Sequence, residues 1–391
     1  MKQINLTAPI NQLGFGVVGL NALLAMQQLG YEVALWPIGP IDSPQEHQSE
    51  IEAALLASGA YDPQAPSLRI SVPSDFAHQV GRGLRVAITY FERDQLTAAE
   101  IHHLQNQDVV IASSVWMQEL LKRQICGPRI AVASPGVERS IFSAHIPLAK
   151  VADNTDRGWE TMSAMPTWST SSSTQPPTTF LVVGKWEVRK GHDVLPAIFQ
   201  SAFTPQDNFK LVLMTVNPFL SQQQHTAWCR SFAKLGDKVE IHHRRLPDQR
   251  AVALAMAQAD CGVFLSRAEG WNLDAAEMLA MGKHIVITNF AAHTEFVNRD
   301  NAWLVDIHEL EPAYDGCWFD GFGRWAKLGD SQLRQAVSHV RAVHQLKQAG
   351  RLAVNLAGQH SMRPFTWQAF AERIVAALSP LARDGDSSMR T

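Results

Sequence analysis

Cysteine is scarce in this sequence, and none of it is arranged in pairs. The 391 residues contain four cysteines, scattered singly along the chain as Cys126, Cys229, Cys261 and Cys317. The absence of a C-x-x-C pair argues against a zinc site and against the disulfide framework of a small secreted domain. We therefore expect a protein of the reducing cytoplasm.

The sequence also lacks a long apolar run and a strong charge of either sign. No stretch approaches the roughly 18 to 20 apolar residues that a membrane span needs, and the N-terminal MKQINLTAPINQLG has no apolar core of the kind found in signal peptides. The formal net charge is −3, which offers no general attraction to nucleic acid or to an anionic membrane. We expect no nucleic-acid partner, and membrane contact that is peripheral at most.

Apolar segments of two lengths alternate along the chain. INLTA, VVGLNALLAMQQLG and YEVALWPIG read as strand, helix and strand, and a second such series begins at TTFLVVGKW. Between the two series lies a stretch rich in Ser, Thr and Pro, which is typical of a linker. The predicted fold class is α/β, with a first domain over 1–149, a linker over 150–178, a second domain over 179–362, and a C-terminal helix and tail over 363–391.

Gly14, Gly16 and Gly19 form a G-x-G-x-x-G sequence near the N-terminus. A dinucleotide-binding fingerprint also needs a strand that runs directly into the glycines and an acidic residue at the end of the second strand. The first strand stops near Ala8, and the second ends in Trp36 and Pro37. The pattern disfavours an NAD enzyme and leaves two alternatives open, a plain glycine turn or a loop that approaches another phosphate.

The segment VVGKWEVRKGHD, residues 182 to 193, carries three cations directly after a predicted strand. Lys185, Arg189 and Lys190 stand there beside Gly184 and Gly191. Cations at a strand-to-helix turn can bind an anion together with the free N–H groups of the next helix. A solvated basic loop is the alternative interpretation.

Two glutamates separated by seven residues, Glu269 and Glu277, mark the segment SRAEGWNLDAAEMLAMGKHIVI, residues 266 to 287. If Asp274 is the N-cap of a helix, Glu277 completes a capping box and has a purely structural role. Alternatively, the helix N-terminus presents amides to a phosphate while Glu277 accepts hydrogen bonds from a vicinal diol such as a ribose. Glu269 has no capping role, and we expect its carboxylate to be free for sugar hydroxyls.

These two segments resemble the motifs of glycosyltransferase family 4, whose hallmark is a Glu-x7-Glu motif. EGWNLDAAEMLAMG matches that motif, and VGKWEVRKG is similar to the family's diphosphate loop, with Lys190 in register. The resemblance implies a GT-B fold, in which two Rossmann-like domains face each other across a cleft and a C-terminal helix crosses back to the first domain. It implies that the first domain, 1–149, binds the acceptor and that the second, 179–362, binds the nucleotide-sugar donor. It also implies transfer of a sugar from a nucleoside diphosphate sugar, with retention, to a carbohydrate or other hydroxyl acceptor.

The resemblance further implies a role for each site residue. Lys185 and Lys190, with Arg189, would neutralise the leaving diphosphate, helped by amides at Asn272 and Leu273. Glu277 would bind the ribose and Glu269 the donor sugar, while the backbone at Gly14 and Gly16 would approach the donor phosphates or the acceptor. No cofactor and no metal are expected, because the cations take the place of a metal ion.

The sequence departs from the family pattern at several positions. In the second domain, Lys185 stands where the family usually has arginine, Asn272 where it has a small residue, and Asp274 where it commonly has proline. In the first domain, many members carry a histidine near the reaction centre. The comparable stretch here, AITYFERDQL, has none, and Glu92 is its nearest polar candidate. Glu92 can equally be a surface carboxylate paired with a neighbouring arginine. Three other functions stay open: a sugar phosphorylase, a nucleotide-sugar epimerase, and a non-catalytic binding module with the same fold.

Overall fold

The computed structural model describes residues 2–144 and 176–379, which form two compact units. The first unit contains the described residues up to Tyr90, Thr97–Gly136 and the described residues from Thr366 onward. The second contains Phe91–Leu96 and the described residues from Val137 to Phe365. Most of the predicted linker, 150–178, lies outside the described residues.

The first unit is built on a parallel sheet of six strands in the order β2-β1-β3-β4-β5-β6. Its strands are β1 (Gln3–Ala8), β2 (Glu32–Pro37), β3 (Ser67–Ile70), β4 (Arg85–Ile88), β5 (Val109–Ala112) and β6 (Arg129–Val132). Its helices are α1 (Gly14–Gln28), α2 (Gln48–Ala57), α3 (Ala98–Gln105), α4 (Val115–Gln124) and α11 (Trp367–Leu378). The chain from Ala8 to Gly14 leaves the sheet between β1 and β3, where the strand order reverses.

The glycines of the N-terminal motif allow α1 to lie very close to the loop before it. A Cβ atom on Gly16 would stand 2.3 Å from the carbonyl oxygen of Asn11, and one on Gly19 would stand 2.1 Å from that of Pro9. Nothing lies within 4 Å of a Cβ built on Gly14. Close backbone approach therefore explains two of the three glycines without any ligand.

The second unit is built on another parallel sheet of six strands, in the order β12-β11-β10-β7-β8-β9. Its strands are β7 (Thr178–Val183), β8 (Phe209–Met214), β9 (Val239–Ile241), β10 (Cys261–Phe264), β11 (His284–Asn289) and β12 (Trp303–Asp306). Its helices are α5 (Leu195–Ala202), α6 (Gln222–Ser231), α7 (Gln249–Gln258), α8 (Leu273–Ala280), α9 (Asp330–Gln348) and α10 (Leu356–Ser361). The strand order reverses between β7 and β10, and ligands of such sheets bind outside the carboxyl ends of the strands at that point.

An antiparallel hairpin, β13 (Leu310–Tyr314) and β14 (Asp320–Ala326), is inserted between β12 and α9. Trp325 anchors it and is 1% exposed. The ring of Phe319 packs 5.0 Å from that of Trp325. Sequence reasoning did not predict this hairpin.

The two parallel sheets with their helices confirm the predicted α/β fold. Helix α11 belongs to the first unit although it is the last helix of the described chain. Its apolar side chains pack against α1 and the adjacent strands. None of the helices in the described chain combines the length and the apolar character needed to cross a membrane.

Candidate active site

The two segments singled out in the sequence follow β7 and β10, which are neighbours in the second sheet. The pairing of Cys261 with Phe180 and of Gly262 with Leu181 sets these strands side by side. Parallel strands end at the same edge of a sheet, so the loops that follow them meet at the point where the strand order reverses. The topology thus brings Arg189 into hydrogen-bonding contact with Glu269, which lies 80 positions further along the sequence.

Glu269 lies at the centre of this meeting point and is 6% exposed. Its Oε1 accepts hydrogen bonds from Lys190 Nζ at 2.8 Å and Ser266 Oγ at 2.9 Å, and its Oε2 accepts one from Arg189 Nη1 at 2.8 Å. Burial opposes ionisation, but the two cations outweigh it and hold the pKa of Glu269 well below its usual value. Glu269 is therefore ionised, and both of its carboxylate oxygens accept hydrogen bonds from protein side chains. The expectation that its carboxylate stands free was wrong.

Arg189 is a buried guanidinium that joins two carboxylates. It is 6% exposed, and its Nη2 donates to Glu187 Oε2 at 2.7 Å while its Nη1 also donates to the carbonyl oxygen of Ala268 at 2.9 Å. Burial opposes its charge, yet Glu269 and Glu187 raise its pKa well above the usual value. The alternative of a solvated basic loop does not apply to Arg189.

Lys185 is the most accessible of the three cations. Its Nζ lies 3.1 Å from Glu187 Oε1, and its side chain is 35% exposed, against 14% for Lys190 and 8% for Arg189. Three cations face two ionised carboxylates, Glu187 and Glu269. Two further carboxyl groups with raised pKa values, Glu92 and Asp274, lie within electrostatic range. An arriving anion would meet Lys185 and Lys190 before Arg189.

The backbone locks the two loops together at Gly191. This residue has φ +72°, and a Cβ there would lie 2.0 Å from the carbonyl oxygen of Leu265. Beside it, the Arg267 N–H donates to the Arg189 carbonyl at 2.6 Å, and Arg267 Nη1 pairs with Asp193 Oδ1 at 2.8 Å. The cations are thus held on a preformed frame.

Helix α8 begins at Leu273, and its N-cap is Asn272 rather than Asp274. The Asn272 side chain accepts a hydrogen bond from the Ala275 amide at 3.1 Å and lies 3.0 Å from His293 Nε2. The alternative in which Asp274 is the N-cap and Glu277 completes a capping box therefore does not apply. The chain entering α8 at Asn272 and Leu273 directly follows the loop that carries Glu269.

Glu277 has no capping role and lies 5% exposed on α8. Burial, with a further contribution from Asp274, raises its pKa well above the usual value. Within the described chain no hydrogen bond to its carboxylate offsets the burial. A carboxyl group in this state is ready to accept donors supplied by a ligand.

We expect the Glu277→Gln variant to gain stability relative to the wild type as the pH rises. A raised folded-state pKa means that the stabilising proton is fully bound below the unfolded value, about 4.3, and that this contribution falls as pH climbs towards the folded value. Glutamine imitates the protonated form at every pH. Urea unfolding at pH 5 and pH 8 should show a larger advantage of the variant at pH 8, and an equal difference at both would contradict the assignment.

His293 is a further residue of this cluster that the sequence did not single out. It follows Ala291, a buried non-glycine residue with φ +53°, and is itself fully buried. Burial lowers its pKa to about 4 although Glu269 acts in the opposite direction, so His293 is neutral at pH 7. A left-handed alanine is a local strain that only surrounding contacts can maintain.

Glu92 belongs to the short segment Phe91–Leu96 of the second unit. Burial raises its pKa, and among its charged neighbours Arg189 opposes this effect while Glu269 adds to it. It is half-buried and lies within electrostatic range of the cation cluster. Gly14 and Gly16 lie in the first unit, and their approach to a ligand stays a prediction.

The described residues contain no group of three or more His, Cys, Asp or Glu side chains arranged to hold a metal ion. All four cysteines are free thiols.

Comparison with known proteins finds a family model that matches part of the chain. Residues 177–315 match the family model described as Glycosyl transferases group 1. A search of the curated proteins finds no significant match.

Several solved structures share the fold over nearly their whole length. Sucrose-phosphate synthase from Thermosynechococcus elongatus superposes with a TM-score of 0.64 at 15% identity, covering 96% of this chain and 98% of that one. Anabaena HepE in complex with UDP-glucose superposes with a TM-score of 0.63 at 13% identity, covering 97% of this chain and 99% of that one. The catalytic domain of Arabidopsis thaliana starch synthase IV bound to ADP and acarbose superposes with a TM-score of 0.59 at 10% identity, covering 97% of this chain and 98% of that one.

The chain therefore has the GT-B fold of glycosyltransferases. The cation cluster lies within residues 177–315 of the second unit, which match the group 1 glycosyltransferase model.

Proposed function

We propose that this protein is a retaining glycosyltransferase that moves a sugar from a nucleoside diphosphate sugar to a hydroxyl acceptor. The observation that carries the proposal is the cluster of Lys185, Arg189 and Lys190 around Glu187 and Glu269, set where the strand order reverses. Its preformed frame and its two more accessible cations, Lys185 and Lys190, suit a diphosphate leaving group. The group 1 domain supports the same reaction class.

The division of work among the cations follows from their burial. Arg189 bonds both carboxylates and stays buried, so it can hold Glu187 and Glu269 while Lys185 and Lys190 turn to the diphosphate. The two lysines then stabilise the charge that develops as the glycosidic bond breaks. Amides at Asn272 and Leu273 add the positive end of the α8 dipole.

The carboxyl groups have distinct tasks in this proposal. Glu277, buried and short of donors, accepts hydrogen bonds from the vicinal hydroxyls of the ribose. Glu269, ionised and fixed by three donors, holds the donor sugar near the anomeric carbon. Because the cations neutralise the diphosphate, we propose that no metal ion is required.

Product analysis tests this function. The purified protein is incubated with UDP-, GDP- and ADP-glucose and an acceptor mixture of mono- and oligosaccharides, with Mg²⁺ or with EDTA. We expect release of one nucleoside diphosphate in both conditions and, by NMR, a product with the anomeric configuration of the donor. Inverted product would contradict retention, and glycan breakdown that depends on inorganic phosphate would indicate a phosphorylase.

A further inference from the structure

The hairpin β13–β14 and the loop after β8 expose four aromatic side chains, one of which lies against a cation of the candidate active site. Tyr314 is 61% exposed, Phe219 55%, Trp318 53% and Phe322 40%. Large apolar side chains gathered on a surface mark a place where something binds. We call these four residues the aromatic row.

The aromatic row is continuous with the candidate active site. Trp318 at the hairpin tip packs edge to face against Phe219, with ring centroids 6.0 Å apart. Lys185 Nζ lies 5.2 Å from the centroid of the Phe219 ring. One end of the row is therefore adjacent to a cation that we assign to the diphosphate.

The hairpin is rigidly fixed to the loops of that site. Arg267 bonds Glu311 of β13 through Nε at 2.9 Å, and the Ala326 N–H of β14 donates to the Arg267 carbonyl at 2.9 Å. On its other side, Asp94 accepts from the Arg324 N–H at 2.7 Å and from Arg324 Nε at 2.9 Å. The row is thus presented in a fixed position, which lowers the entropic cost of binding.

The hairpin tip is also ordered by its own sequence. Asp315 Oδ1 accepts hydrogen bonds from the N–H groups of Cys317, Trp318 and Phe319 at 2.8, 2.7 and 2.9 Å. The Asp315 N–H in turn donates to the Phe319 carbonyl at 3.1 Å. The backbone of Trp318 is therefore held in place although its ring is exposed.

The number and arrangement of the rings decide what they fit. A nucleobase has two faces and stacks on at most two rings, and the edge-to-face contact of Phe219 with Trp318 leaves no slot for a base between them. Four rings over one hairpin and its neighbour suit a ligand with several ring-sized units. Asp320 is an exposed carboxylate of the same hairpin and can accept hydrogen bonds from hydroxyl groups.

Building on the proposed function, we propose that the aromatic row is the binding platform for a linear oligosaccharide acceptor. Successive pyranose rings pack their C–H faces on the aromatic side chains, and their hydroxyls bond the polar groups between them. The acceptor class of this enzyme is then a glycan chain rather than a single sugar or a small alcohol.

The test combines two binding measurements on the full chain. A glycan array of defined oligosaccharides of increasing length finds binders of the wild type, and calorimetry measures the best one with the Trp318→Ala, Tyr314→Ala and Leu56→Ala variants. Leu56 is an 80% exposed apolar residue of α2 and serves as the control. Thermal shifts with UDP, GDP and ADP are recorded for every variant.

We expect Trp318→Ala and Tyr314→Ala each to weaken oligosaccharide binding by about tenfold, with monosaccharides bound poorly by all variants and with unchanged nucleotide shifts. Wild-type oligosaccharide affinity retained by both variants would overturn the inference, as would a wild type that binds nucleotide but no glycan. Loss of the nucleotide shift in Trp318→Ala would assign the row to the nucleobase instead. Absence of any nucleotide shift in the wild type would contradict the proposed function itself.

Discussion

Replacing Lys190 with methionine is expected to lower kcat by about 100- to 1,000-fold, the usual effect of removing one charged or hydrogen-bonding group that stabilises a transition state. Lys190 Nζ lies 2.8 Å from Glu269 and is 14% exposed as a side chain. Burial opposes its charge, but Glu269 raises its pKa, so it is a permanent cation at neutral pH. Methionine keeps most of the length of the side chain and removes the ammonium group with its charge and its hydrogen bonds. Initial rates at saturating donor measure the effect.

The matched control for Lys190 is Lys234→Met, an exposed lysine of the same unit with no place in the site. Its kcat should equal that of the wild type. The Lys190 variant should remain folded, because Arg189 still pairs with Glu269 at 2.8 Å. A folded Lys190→Met protein with wild-type turnover would refute the assigned role.

The second large effect is expected on stability. Arg189→Met should lower the free energy of unfolding by about 3 to 5 kcal/mol, because it leaves Glu187 and Glu269 buried without their shared counter-ion. Both carboxylates are held ionised with lowered pKa values in the intact cluster. Urea unfolding at pH 7 measures the loss.

Two further variants separate charge from packing. Arg299→Met removes a pair with Asp306 at 2.8 Å whose arginine side chain is 75% exposed, and it should cost no more than about 1 kcal/mol. Adding Glu187→Gln and Glu269→Gln to Arg189→Met should recover part of the lost stability, because the uncompensated charges are removed. If the triple variant is no more stable than Arg189→Met, the loss comes from packing and not from the unpaired carboxylates.

The sequence contained enough information to predict the sheets and the location of the site. Strand lengths and flanking loops gave β1 ending at Ala8 and β2 ending at Pro37, and both ends agree with the structure. Lys190 and Glu269 were assigned to different parts of the donor, and the structure shows that they also form an ion pair at 2.8 Å. The predicted strand ends depend on local hydrophobic periodicity.

Other features depend on contacts that a single sequence does not encode locally. Asn272 and Asp274 are both good N-caps, and only the packing that starts α8 at Leu273 decides between them. The role of Arg189 as a bridge between Glu187 and Glu269 needs the loops in three dimensions. The hairpin at Leu310–Ala326 was missed because β14, DGFGRWA, contains two glycines and has little alternation of apolar residues.

The most direct test of the central claim is a calorimetric titration of the wild-type protein with UDP, GDP, ADP and NAD, each repeated with Lys190→Met and Lys234→Met. Binding of one nucleoside diphosphate, weakened in Lys190→Met and unchanged in Lys234→Met, is the result that the account predicts. Binding of NAD alone, or of no nucleotide at all, would contradict it.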